Sequence, residues 1–130
     1  MKKIILINIF ILISNSLYSQ DISGTWNWQS QNEKHISEIT LIQNGTDTYS
    51  GYYCSSFYNG KKIDCSNSTT EICITIEKTS LNVFTGSFNS PSFNGVGHIE
   101  LIYEPSQNKL KLKILNTVGE YYLPANVFYK

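Results

Sequence analysis

Y-C-S-S-F-Y-N-G-K-K-I-D-C-S, residues 53–66, sets two cysteines at equal distance on either side of one Asn-Gly pair. In an antiparallel hairpin, the numbers of facing residues have a constant sum. Asn59 and Gly60 sum to the same total as Cys54 and Cys65. Asn-Gly is the favoured pair for a two-residue type I′ turn, because both central positions need positive φ. The two thiols therefore face each other across the ladder. Counting out from Tyr58 and Lys61 as the first hydrogen-bonded pair makes Cys54 and Cys65 another such pair, with Cα atoms about 5.5 Å apart and within reach of a disulfide. A stapled hairpin is expected, and with it an oxidising compartment.

Outward from this hairpin, alternation and turn residues recur at short spacing. Towards the N-terminus, Ile22, Trp26 and Trp28 share one parity in I-S-G-T-W-N-W-Q-S, and strands are predicted over about residues 35–43 and 48–57. Asn44-Gly45 is read as a second type I′ turn between them. Towards the C-terminus, S-N-S-T-T is a polar loop before E-I-C-I-T-I-E, where Ile72, Ile74 and Ile76 alternate. Further strands are predicted over residues 82–89, 96–103 and 109–115. In the last of these Leu110, Leu112 and Ile114 face in, while Lys109, Lys111 and Lys113 face out. A final strand covers about residues 119–129, with Pro124 at an edge, bulge or kink. Eight or nine antiparallel strands in one small domain close into a barrel or split into a sandwich. Short hairpins between sequential strands favour an all-β, up-and-down barrel.

The first residues read M-K-K-I-I-L-I-N-I-F-I-L-I-S-N-S-L-Y-S-Q. Two lysines, a short apolar run and then small serines form the pattern of a secretory signal peptide, too short for a membrane anchor. Cleavage is expected after Ser19, leaving residues 20–130 as a single β-barrel domain, exported to the periplasm or secreted, and monomeric. Without Lys2 and Lys3, eight basic residues stand against ten acidic ones, and the chain has no arginine. Nucleic-acid readers favour the bidentate grip of arginine on phosphate and guanine, so nucleic acid is not an expected partner, nor is an anionic membrane surface.

No catalytic motif is legible. The two histidines, His35 and His98, sit in no zinc-ligand spacing, no nucleophile elbow appears, and no Gly-rich loop precedes a helix. No cofactor, metal site or enzymatic activity is expected. His98 and Glu100 share one face of a strand, which fits a solvated outer row better than an acid–base pair. Cys73 is the unpaired cysteine. It is either a buried thiol acting as a small hydrophobe or a site of mixed-disulfide or dimer formation.

The aromatic residues carry the functional expectation. If the barrel is open at one end, Trp28, Tyr53, Phe88 and Tyr103 line a small apolar cavity with polar tips. The alternative is that these rings fill the interior. The loop N-S-P-S-F-N-G, residues 89–95, offers Phe93 at a Pro- and Gly-bounded tip, either as an anchor for a protein partner or folded back over the barrel end.

Ser23-Gly24-Thr25-Trp26 resembles the G-x-W motif of the calycins, the lipocalins and avidins among them, and Tyr49-Ser50-Gly51-Tyr52-Tyr53 is similar to the returning strand of avidin-like chains. The resemblance covers about the first three strands. It implies a barrel whose motif tryptophan closes the base, and a non-enzymatic binding protein for a small, partly apolar ligand. The chain departs from the lipocalin pattern in lacking the late arginine that packs on this tryptophan, with only Lys130 near the C-terminus. A protein-binding factor, such as a periplasmic hydrolase inhibitor, is the alternative.

Overall fold

The computed structural model describes residues 20–66 and 70–130, so the expected signal peptide and the middle of the 66–70 loop lie outside the described residues. The described chain is all-β, without a helix. Its strands are β1 (Gly24–Gln29), β2 (Ile36–Gln43), β3 (Thr48–Phe57), β4 (Lys62–Cys65), β5 (Ile74–Ser80), β6 (Val83–Asn89), β7 (Val96–Glu104), β8 (Lys109–Val118) and β9 (Val127–Tyr129). Every pairing is antiparallel, along the path β1-β2-β3-β5-β6-β7-β8-β9. The two ends of this path meet. Asn27 N donates to Lys130 O at 2.9 Å and Lys130 N donates to Asn27 O at 2.8 Å, the reciprocal pair of an antiparallel ladder. The sheet is thereby drawn into a nearly closed up-and-down barrel.

β4 lies off this path. The second edge of β3 is shared end to end, with residues 48–51 on β5 and residues 54–57 on β4. The stapled hairpin is therefore a flap at one end of the barrel, and the chain leaves it to re-enter the sheet lower on the same strand.

The hairpin keeps the expected register, Cys54 facing Cys65, and the two are disulfide-bonded. Its hydrogen-bond phase is the opposite of the expected one. The loop is four residues long, Tyr58 to Lys61, with Phe57 facing Lys62. Ser66 N donates to Tyr53 O at 3.1 Å, whereas Cys65 N turns away to Ser92 Oγ at 3.0 Å. Cys54 and Cys65 are thus a non-hydrogen-bonded pair, and their Cα atoms lie 3.9 Å apart, nearer the close spacing of such pairs than the wide one. The cause is Tyr58, which joins Asn59 and Gly60 at positive φ. It is held there as Tyr58 N donates to His35 Nδ1 and Asn59 N to Lys34 O, both at 3.1 Å.

Three other expectations are corrected. Asn44-Gly45 is not a type I′ turn, since neither residue has positive φ; Asn44 N bonds Thr48 O around a longer bend, and Asp47 O is taken by Lys78 N of β5. The final strand is short, because Gly119 and Asn126 at positive φ interrupt the extended run. Residues 119–126 instead cross the barrel end and bury Leu123 and Pro124. Ile72 does not share the inward row of Ile74 and Ile76: pairing begins only at Ile74, so Ile72 is exposed, whereas Cys73 takes the buried-thiol alternative, free, with Sγ 3.5 Å from Ser66 Oγ.

The inward rows are those that alternation predicts. Ile39 and Leu41, Tyr49 and Tyr53, Ile74 and Ile76, Phe84 and Phe88, Ile99 and Leu101, Leu110 and Leu112 are all buried. Rings meet edge-on across the interior, Tyr49 against Phe84 at 5.5 Å and Tyr53 against Phe88 at 6.5 Å, the arrangement that opposed ring quadrupoles prefer. Gly86 makes space on the inward row between the two phenylalanines, where a Cβ would collide with the Thr75 carbonyl. Ile22 and Trp26 close the first end of the barrel. The Trp26 indole is 7% exposed and donates from Nε1 to Ile22 O at 3.0 Å. Its ring partner is Tyr103, edge-on at 6.1 Å. Lys130 reaches β1 through its backbone, so the base of the barrel is closed without a late cation.

Candidate functional site

The second end of the barrel is organised by a carboxylate. Asp64 on β4 is 0% exposed and receives four hydrogen bonds: from Tyr53 Oη (2.6 Å), Ser90 Oγ (2.7 Å), Tyr122 N (2.9 Å) and Ser92 N (3.1 Å). These donors come from β3, the 89–95 loop and the segment across the barrel end. One buried anion thus ties three pieces of chain, and neutral donors satisfy it, as burial of a charge demands. Burial first, and then the bond and charge of Asp64, hold the Tyr53 hydroxyl far above the ordinary tyrosine range. Nearby, Ser37 Oγ and Ser55 Oγ lie 2.8 Å apart, and Tyr129 Oη donates to Ser37 Oγ at 3.1 Å. These groups are sealed inside and serve the fold.

Access is on the outside. A cleft of about 610 Å³ runs along the outer face at this end, over the seam where β9 meets β1. From β1 it takes Asn27, Trp28 and Gln29, and from β2 Ile36 and Glu38. Its far wall is Phe128 and Lys130, and the floor touches Ser37 and Cys54. Ile36 is 49% exposed and Phe128 38%, apolar residues standing on a row that alternation assigns to water. Lys109 and Lys111 place their ammonium groups 5.5 and 5.8 Å from the centre of the Phe128 ring, a cation–π geometry that steadies it from the β8 side. A second cleft of about 420 Å³ adjoins the first through Trp28 and Gln29 and continues along Ser30, Gln31, Asn32 and His35. The 30–35 loop is firmly built. Ser30 N bonds His35 O, Ser30 Oγ donates to Asn32 Oδ1, and His35 packs on Phe57 at 4.7 Å.

The four residues expected to line one cavity are not brought together. Tyr53 and Phe88 are fully buried in the packed interior. Tyr103 is partly buried at the other end, against Trp26, with its hydroxyl donating to Asn108 Oδ1 at 2.9 Å. Trp28 alone borders the clefts, while its ring also packs on the core. Phe93 folds back: its ring lies 5.3 Å from Tyr122 and beneath Lys62 Nζ, and Phe93 N bonds Ser90 Oγ. Cys54 and Cys65 staple the flap that carries Asp64. His98 and Glu100 stand on β7, facing Leu115 and Lys113 of β8.

No family model, curated protein or solved structure matches this chain. The site therefore rests on its own geometry. Sequence reading passed over Asp64 and the outer cleft. Asp64 had a signal, a carboxylate opposite Ser55 on the inward row of a stapled hairpin. The cleft had a weaker one, Ile36 and Phe128 on outward rows.

Proposed function

We propose that this chain is an exported, non-enzymatic, calycin-like binding protein that takes a small, partly apolar ligand on the outer cleft at the barrel seam. The supporting observation is the cleft itself. At about 610 Å³ it falls in the size range of ligand sites, with apolar walls and a few polar groups to orient a guest. The packed interior argues against a ligand inside the barrel. The export reading draws on the Lys2-Lys3 and apolar pattern at the N-terminus and on the Cys54–Cys65 disulfide, which suits an oxidising compartment. The calycin reading draws on Gly24-Thr25-Trp26, with its buried tryptophan at the closed base. A fragment screen read by protein NMR tests the site: shifts clustered on Trp28, Ile36 and Phe128 are expected, and hits confined to other faces would sink it.

A protein-binding role has one observation in its favour. Tyr58 and Ile63, each 53% exposed, lie on the stapled flap, whereas the Phe93 ring is folded back. Inhibition of a periplasmic hydrolase by the wild type, lost in Ile63→Asp, would favour that reading.

A further inference from the structure

The two clefts, together the trough, share Trp28 and Gln29 in their linings. Its chemistry is unusual for an apolar site. Four side-chain amides line it, Asn27, Gln29, Gln31 and Asn32, together with the rings Trp28 and Phe128. The amides of Asn27, Gln29 and Gln31 make no hydrogen bond to another described residue. Asn32 spends only its carbonyl, accepting from Ser30 Oγ and Lys34 N. Resting on the proposed binding role of this cleft, we infer that its ligand is an uncharged sugar, lying in the trough beside Trp28.

The fit is one of matched groups. A side-chain amide offers both donors and an acceptor on one short stem, and neighbouring sugar hydroxyls offer the same pair in return. The C–H faces of a pyranose ring carry slight positive charge and rest on the negative face of an aromatic ring. Other ligand classes leave part of the trough unused. A purely apolar guest would strip water from the amides without replacing its hydrogen bonds, a cost of about 1–3 kcal/mol per group. An anion would meet Lys130, but with Glu38 in the same cleft. The second cleft contains no Asp, Glu, Lys or Arg at all.

The test is a titration of the isotope-labelled, disulfide-bonded protein with cellohexaose, chitohexaose and, separately, the uncharged apolar dye N-phenyl-1-naphthylamine. The indole N–H of Trp28 and the side-chain amides of Gln29 and Gln31 are followed by NMR. Saturable shifts of these signals with at least one hexaose are expected. Gln29→Ala, an exposed position, should leave the melting temperature unchanged and weaken that binding by about 2- to 10-fold, the loss of one hydrogen bond. Trough signals that move with the dye and with neither hexaose overturn the sugar assignment and leave the binding role standing. Signals that move with none of the three overturn both. Hexaose binding unaffected by Gln29→Ala and by Trp28→Phe overturns the trough as its location.

Discussion

Tyr53 donates its phenolic hydrogen to Asp64 Oδ2 at 2.6 Å, joining the inward faces of β3 and β4 one residue inside the disulfide pair Cys54–Cys65. The bond matters because the carboxylate has no cation beside it among the described residues, only hydroxyl and backbone donors. Removing Tyr53 Oη as Tyr53→Phe should cost about 1.5–3 kcal/mol, the range for a hydrogen bond to a charged group. Asp64→Ala leaves four donors without an acceptor and should cost about 3–5 kcal/mol, since each buried orphan costs about 1–3 and water recovers part. Urea melts of both variants check the order. A loss of under about 0.5 kcal/mol for Asp64→Ala, the size of an ordinary surface change, would mean that the carboxylate does not organise this end.

The disulfide acts on the same flap from outside. Its two cysteines are 11 positions apart, and closing so short a loop should contribute about 2–3 kcal/mol. The double variant Cys54→Ser, Cys65→Ser should lose that much, and mass mapping of non-reduced peptides should show Cys73 as a free thiol. Burial pushes the Cys73 thiol up, so alkylation of the folded protein should be slow and should quicken in urea. A dominant crosslink from Cys54 or Cys65 to Cys73 would overturn the register of β3 and β4.

How far the molecule could be read without coordinates differs from element to element. The strands and their inward rows follow from alternation, because side-chain direction has a period of two and the core selects one parity. The Cys54–Cys65 register was legible for the same reason. Its hydrogen-bond phase was not, because Tyr58 takes a left-handed conformation for which its residue type gives no warning; the bond to His35 comes from another hairpin. Asn44-Gly45 failed in the converse way. The local turn preference lost to contacts between Asp47 and Lys78. The outer cleft lies across the β9–β1 seam, which only barrel closure creates, and strand parity on single segments does not reveal a concavity made by four strands.

Trp26 and Trp28 share a strand face and differ in depth. Trp26 seals the base with Ile22, so Trp26→Ala should cost about 3–5 kcal/mol, as for other large core aromatics. A domain of this size has about 5–15 kcal/mol in all, so this variant should be partly unfolded at body temperature. Trp28 is only partly buried and borders both clefts. Trp28→Ala should cost clearly less and abolish binding in the trough. Equal and mild losses in denaturant melts would make the buried G-x-W tryptophan incidental to the fold.

Alkaline pH supplies the last prediction. Burial holds the hydroxyls of Tyr53 and Tyr129 and the thiol of Cys73 above their ordinary values. Each group therefore keeps its proton in the folded state at a pH where the unfolded chain has lost it. Stability from these groups is complete below the unfolded values, about 8.5 for cysteine and 10 for tyrosine. It falls as pH rises beyond them, since the folded state binds more protons than the unfolded one. Each retained proton costs about 1.4 kcal/mol per pH unit, so the two tyrosines together remove up to about 3 kcal/mol per unit above pH 10. A reserve of about 5–15 kcal/mol is then exhausted within a few units. Tyr53 and Tyr129 should ionise in one step that coincides with loss of the β signal in circular dichroism. Tyr53→Phe removes one of these protons, so the alkaline loss of stability should be shallower in that variant, although its neutral-pH stability is lower. Smooth ionisation of every tyrosine near pH 10 with the barrel intact would show that neither ring is sealed.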